Sequence, residues 1–359
     1  MAYTGVNKST SYFNVKNYSG NGQANHAITG VGFQPDFTWI KRTDAATNHH
    51  LHNAVRGATK VMYSNATSNE STDAQKLTSF DSDGFTVGTN GDANNGSGGF
   101  QSWNWKANGA GSSNSDGSIT STVSANQTAG FSIVNWTGTG AAATIGHGLN
   151  AVPKTIIVKK TDGGGTASWV VYNGDLTYSK YITFNGSAAA ANSDATVWNN
   201  TAPTSSVFSV GSWGDVNGNG VNILAYVFAD KTGYCKTGRY DGNGNVDGNF
   251  IYLGFKPTFF LVKRYDNTGG WVIKDGTNSG ALLSAANTPN FCNPNETDHP
   301  HANATDQNNK ASAFGMDFVS NGVKIRGGDG EINTNGGDYI YLAMGQTLVG
   351  TNNVPCNAR

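Results

Sequence analysis

The sequence predicts an all-β protein made of three tandem, related β-sandwich domains of jelly-roll-like type. Three observations lead there: a passage written three times at fixed spacing, a glycine-rich composition poor in charge, and short apolar runs set between turn signals. The passage reads Tyr18-Ser-Gly20-Asn21-Gly22, then Pro35, then Ile40-Lys41-Arg42-Thr43-Asp44. It returns as Trp136-Thr-Gly138-Thr-Gly140, Pro153, Val158-Lys159-Lys160-Thr161-Asp162, and again as Tyr240-Asp-Gly242-Asn243-Gly244, Pro257, Val262-Lys263-Arg264-Tyr265-Asp266. In every copy the proline follows the second glycine by 13 residues and the lysine follows the proline by 6. The copies start 118 and 104 residues apart. Chance does not hold two spacings through three passages, so the chain reads as a triplicated module.

Other landmarks keep the same period. Phe80-Asp-Ser-Asp-Gly84-Phe85 in the first copy matches Phe318-Val-Ser-Asn-Gly322-Val323 in the third, and the second keeps Val207-Phe208-Ser-Val210-Gly211. An asparagine stands nine residues before an aromatic or apolar position each time: Asn94 and Trp103, Asn217 and Tyr226, Asn333 and Leu342. Trp169-Val-Val-Tyr172 and Trp271-Val-Ile273 correspond, while the first copy has His49-His50-Leu51-His52 there.

Forty-eight glycines and 11% aromatic residues, with 13% charged in 359, leave little material for helices. Helix content should be a few short turns. Strands are expected at Phe37–Lys41, Phe131–Trp136, Thr155–Lys159 and Phe259–Lys263, each four to six residues between Gly, Asn or Pro clusters. The repeated proline should open a strand, where its missing N–H costs no ladder bond. The lysine and arginine that follow should leave the core as solvated strand-end charges. The domains are placed at 1–106, 130–230 and 231–345. Residues 107–129, small and polar, read as a linker, and 346–359 as a loose tail.

The formal net charge of −1 offers no basic footprint for nucleic acid. No apolar stretch approaches the ~18 residues of a membrane span, and the N-terminus lacks the pattern of a signal peptide. Cys235, Cys292 and Cys356 are odd in number and widely spaced, as expected of free thiols in a reducing cytoplasm.

No residues are predicted to be catalytic, to bind a cofactor or to hold a metal. The chain has neither a nucleophile elbow nor a phosphate loop. Asp215-Val-Asn217-Gly-Asn219-Gly220 and Asp241-Gly-Asn243-Gly-Asn245-Val-Asp247 begin like calcium loops but have Tyr226 and Tyr252 where the bidentate glutamate belongs, so they read as hairpin turns. His49, His50 and His52 form one histidine cluster and Asp298-His299-Pro300-His301 another, without further ligands at recognisable spacing. His147 reads as a turn or packing residue. Most tryptophans should be core. Trp198 and Trp213, set among Asn, Ser and Gly, are the candidate interaction surface, of the kind that stacks on sugars or makes a polar protein interface.

Gly32-Phe-Gln-Pro35-Asp-Phe-Thr-Trp39 through Val55-Arg56-Gly57-Ala58-Thr59-Lys60, Leu77-Thr-Ser-Phe80 through Gly88, and Trp103-Asn-Trp105-Lys-Ala resemble a repeated module of tailed-phage virion proteins. Gly130-Phe131-Ser-Ile133, Gly146-His147-Gly148-Leu149, Trp198-Asn-Asn-Thr-Ala-Pro203 and Gly336-Gly-Asp-Tyr339-Ile-Tyr341 resemble the same family, so the likeness covers nearly the whole chain. The family occurs in marine and cyanobacterial phages as tail-fibre or structural proteins. The resemblance implies a virion location and brings no catalytic residues.

The expected role is therefore a virion structural protein, without enzymatic activity or cofactor. A tail fibre, spike or appendage subunit meeting host-surface glycans leads. A capsid decoration protein and a soluble lectin-like module are the alternatives. A module that starts almost at Met1, and the lack of a heptad shaft, favour a compact appendage or decoration. Its partners would be other virion proteins. Association is expected to cover sheet edges and aromatic patches, and the resemblance to virion appendages, which are commonly trimeric, implies a homotrimer.

Overall fold

Phe37, Trp39 and Ile40 lie on one strand but in two different cores, and that division organises the molecule. The computed structural model describes residues 4–188, 192–276, 291–292, 315–347 and 349. It is nearly all β, with four helices of one turn each among the described residues.

The first unit holds β1 (Phe13–Ser19), β2 (His26–Thr29), β3 (Phe37–Arg42), β4 (His50–Asn53), β5 (Gly57–Tyr63), β6 (Ser71–Thr72), β7 (Leu77–Asp81), β8 (Gly84–Val87) and β9 (Gly99–Trp105). The second holds β10 (Ser112–Asn114), β11 (Ser121–Asn126), β12 (Phe131–Thr137), β13 (Ala143–Gly146), β14 (Pro153–Lys160), β15 (Val170–Asn173), β16 (Lys180–Thr183), β17 (Asn192–Ser193), β18 (Val207–Val210) and β19 (Asn222–Ala229). The third holds β20 (Cys235–Asp241), β21 (Phe250–Tyr252), β22 (Lys256–Arg264), β23 (Trp271–Asp275), β24 (Phe291–Cys292), β25 (Met316–Val319), β26 (Gly322–Ile325) and β27 (Asp338–Gln346).

One strand order recurs. The large sheets run β1-β9-β3-β4-β5, β12-β19-β14-β15-β16 and β20-β27-β22-β23-β24, all antiparallel where paired. The small sheets are β2-β8-β7, β13-β18 and β21-β26-β25. Pro153 is the first residue of β14, Pro257 the second of β22, and Pro35 stands two before β3. The register breaks just after Pro153 and Pro257.

The central strands of each large sheet are buried on both faces. Its outward side chains pack on the unit's own small sheet: Ile40, Phe85 and Phe100 in the first unit, Val158, Val170 and Phe208 in the second, Phe260, Val262 and Val323 in the third. Its inward side chains enter one shared core that draws on all three units, among them Trp39, Trp105, Ile157, Tyr226, Phe259 and Leu261. Strands buried on both faces need apolar residues at consecutive positions, which explains runs such as Phe259-Phe-Leu-Val262. Phe37 stacks on Tyr226 at 4.0 Å, Phe13 meets Phe259 at 5.6 Å, and Phe184 meets Trp271 at 4.7 Å, so every pair of units touches. The void at the centre is lined by apolar side chains and has room for no more than one water.

Polar bonds close the same ring. Asn53 donates to the Tyr226 hydroxyl at 3.0 Å, and Trp169 donates to the Tyr63 carbonyl at 2.9 Å. Trp271 donates to the Thr183 carbonyl at 2.9 Å. Gln101 donates to Asp275 at 2.7 Å, and the Ser9 amide donates to the Gln346 side chain at 2.6 Å.

Residues 107–129 correct the sequence reading. They are not a flexible linker: β10 and β11 extend the second unit's large sheet, with β11 in register along β12. The residues of β11 are mostly polar, yet Ser121, Val123 and Ser124 are buried and Val123 enters the second unit's core. Of the expected tail, Gln346 closes β27, and most of the remainder lies outside the described residues.

Candidate interaction surface

The repeated motifs build the frame. Asn94, Asn217 and Asn333 end the one-turn helices Gly91–Asn94, Gly214–Asn217 and Gly330–Asn333 and are fully buried. Each side-chain carbonyl accepts the amide between the two repeated glycines: Asn21 at 2.8 Å, Thr139 at 3.0 Å, Asn243 at 2.9 Å. Each amide group donates to two carbonyls: Gln23 and Gly88, Ala141 and Gly211, Asn245 and Gly327. The first glycine permits that approach, since a Cβ at Gly20, Gly138 or Gly242 would lie 2.0, 2.3 or 2.2 Å from a backbone carbonyl oxygen. The second turns the chain, with φ of +69°, +69° and +66° at Gly22, Gly140 and Gly244.

The repeated lysines are a second correction. Lys41, Lys159 and Lys263 are buried, not solvated. They point to the shared-core side of β3, β14 and β22, and their ammonium groups donate to Thr47, Ala167 and Gly269 carbonyls in the connections that follow. Lys159 also reaches the Thr67 carbonyl of the first unit at 3.1 Å. In two units a carboxylate completes the clip, Asp215 accepting the Ser168 amide and Glu331 the Gly270 amide. Burial pushes Lys159 and Lys263 down to about 8. The outward residues Arg42 and Arg264 do make exposed pairs, with Asp44 at 2.6 Å and Asp266 at 2.8 Å.

Trp198 cannot be an interaction surface: it is buried, donates to the Lys180 carbonyl at 3.1 Å and packs edge-on to Tyr172. The polar residues around it are turn and cap residues, Asp194 capping the helix Ala195–Trp198 and Asn199 taking the left-handed conformation. Trp213 is half-buried, its ring 5.0 Å from Tyr181 against the second unit's core.

His49, His50 and His52 are buried in and beside β4. Burial, then Lys76, keeps His50 well below the usual histidine range, and burial pushes His52 down to about 3 despite its bond to the Ala58 carbonyl. His147 packs by the Thr204 carbonyl. Among the described residues no group of three or more His, Cys, Asp or Glu is placed to hold a metal. Asp298, His299 and His301 lie outside the described residues. In the turn beginning at Asp241, the Asp247 carboxylate is taken by Lys324 at 2.9 Å and Arg326 at 3.0 Å, which hold it below the usual range.

The exposed aromatics lie elsewhere. Phe250 and Tyr252, on the outer face of β21, are 46% and 58% exposed, and Val246 beside them is 67% exposed. Sequence reasoning passed over Phe250-Ile-Tyr252. The signal was there in the repeats: Ile28, Ile145 and Ile251 pair with Phe85, Phe208 and Val323, and the flanking positions are Ala27 and Thr29, then Thr144 and Gly146, then Phe250 and Tyr252.

The fold is thus all β, with antiparallel large and small sheets packed round one shared core and, among the described residues, a pair of exposed aromatics on β21. The chain belongs to the family described as Domain of unknown function (DUF7483), whose model matches residues 8–347. That one match spans all three units, in keeping with the single core they share. No curated protein matches the chain.

Proposed function

We propose that this protein is a non-catalytic structural component of a tailed-phage virion, a compact tail appendage that meets the host surface. The observation that carries the reading is the shared core: one chain supplies three sandwiches that bury their aromatic inner faces on one another. Such a block offers rigid outer faces and suits a position of threefold character in a particle. The fixed motif spacings and the repeated strand order support reading the units as copies of one triplicated domain. The motif likeness to phage structural proteins supports the virion setting.

The homotrimer expected from the sequence rested on sheet edges and aromatic patches, and much of the aromatic surface lies in the core the units share. We therefore propose a chain that is monomeric when isolated and gains neighbours only in the particle. A capsid decoration role is the second reading, favoured by the short sheets and by the want of any shaft-forming helix among the described residues. Mass spectrometry of purified particles, with density for this chain in their image reconstruction, tests the proposal. Density at a tail appendage supports it, density on the capsid shell selects the second reading, and absence from the particle sinks both.

A further inference from the structure

We propose that the outer sheet face of the third unit binds polysaccharide, with Phe250 and Tyr252 as the stacking platform. The biological setting rests on the host-contact reading above; the chemistry belongs to the isolated chain. Phe250 and Tyr252 sit two apart on β21 and so point to the same side, about 7 Å apart, while Ile251 between them enters the core. The fold does not require them, because the first unit has Ala27 and Thr29 at these places and the second Thr144 and Gly146.

The same strand in the second unit shows what a covered version looks like. Ile119 bridges to Ile145, Ser118 donates to Thr144 Oγ1 at 2.8 Å, and the Thr144 amide returns a bond to Ser118 at 2.9 Å. Among the described residues nothing comparable lies along β21. Its outer edge is instead closed to strand addition by Lys236, whose ammonium takes the Tyr252 carbonyl at 2.7 Å and sits 5.5 Å from the ring centroid. The ammonium lies over the Tyr252 ring, while the rest of that ring and the Phe250 ring stay exposed. A partner must use those rings and not the strand edge.

The surroundings select the partner. Lys324, half-buried, lies opposite Phe250 in the register, and Lys324, Asp247, Arg326 and Asp317 form a continuous row of bonds at 2.9, 3.0 and 2.8 Å whose last three members are exposed. Apolar ring faces bordered by donors and acceptors of both signs match a pyranose, which presents a C–H face for stacking and hydroxyls round its edge. A purely apolar partner would leave that charged row desolvated.

The test uses an array of neutral and uronic-acid pyranose oligosaccharides, with affinity electrophoresis of the full chain in gels holding the polysaccharides that score. Phe250→Ala and Tyr252→Thr place the first unit's residues on the strand, so the variants should fold; matched melting curves check this. Each should weaken retention about tenfold and the pair should abolish it, whereas Tyr178→Ala, at an exposed aromatic of the second unit, should change nothing. No retention of the wild-type chain overturns the proposal, as does retention unchanged in the double variant. A changed mass in light scattering for the double variant overturns it too, by making the face a contact between copies. Binding by a chain absent from virions would leave this inference standing and remove the virion reading; a virion component that binds no glycan would do the reverse.

Discussion

The asparagine hub is built from one set of residues in all three units, whereas the fourth strand of the large sheet is built from three. At the hub, every unit closes the same turn against the same helix with three side-chain bonds. On the fourth strand the first unit places His50 and His52 where the second has Val170 and Tyr172 and the third Val272 and Lys274. Positions that recur are the frame, without which no unit forms. Positions that differ are where a unit acquires its own properties: acid sensitivity in the first, the exposed rings in the third.

Breaking the hub should have the largest effect. Asn217→Ala leaves the buried Gly211 carbonyl and the part-buried Ala141 carbonyl and Thr139 amide without their partner, and should cost roughly 3–5 kcal/mol in urea unfolding, with similar losses at Asn94 and Asn333. A loss below 1 kcal/mol would reduce the hub to an ordinary turn. Trp198→Ala should cost a comparable ~3–5 kcal/mol, because it empties a core site, and Trp213→Ala only about 1. Equal losses would restore Trp198 to the surface.

The histidine strand sharpens the contrast by pH. His52 titrates near 6.5 when unfolded and at about 3 when folded, and His50 is lowered in the same direction. The contribution of His52 is therefore complete above pH 6.5 and is lost as pH falls toward 3, by about 2.5 kcal/mol between pH 6 and 4, and burial of His50 acts in the same direction. Lys41, Lys76 and Arg56 surround them with like charge. His50→Val with His52→Tyr, the second unit's residues, should flatten the acid limb of a stability–pH curve; an unchanged limb would place the acid sensitivity elsewhere.

Lys159 and Lys263 act in the opposite pH range. Their folded values of about 8 lie below the ordinary 10.4, so the unfolded chain holds more protons between pH 8 and 10 and stability rises across that window. Lys159→Met should remove about 2 kcal/mol of that rise. Gly140→Ala should match Trp213→Ala as the smallest effect, about 1 kcal/mol for forcing a side chain to φ +69°.

The repeat spacings made the β class readable, because a residue gained or lost inside a strand turns its side chains to the wrong face. The lysines misled because a charge after an apolar run ordinarily marks a strand leaving the core. Here the neighbouring unit continues the core beyond Lys159, and no single strand announces its neighbour. The arm at 107–129 was hidden by composition, since β11 buries two serines beside its one valine and small polar residues fill the rest. Trp198 was misjudged from its polar neighbours, whose work is capping. Phe250 and Tyr252 could have been found by asking which of the three motif-bearing units departs from the other two at this strand.

The contact between Trp105 and Met344 spans 239 residues, and it bears on how the protein is made. At the usual 5–20 residues per second, roughly 10–50 s separate the synthesis of those two side chains. Through that interval Phe37, Trp39 and Trp105 lack their third-unit neighbours, and the nascent chain carries an adhesive inner surface. Closure must await the last strand, so the ring locks late and as a whole. Ribosomes released early would yield a sticky fragment, and yield in a host cell should depend on chaperone supply more than on the stability of the finished protein.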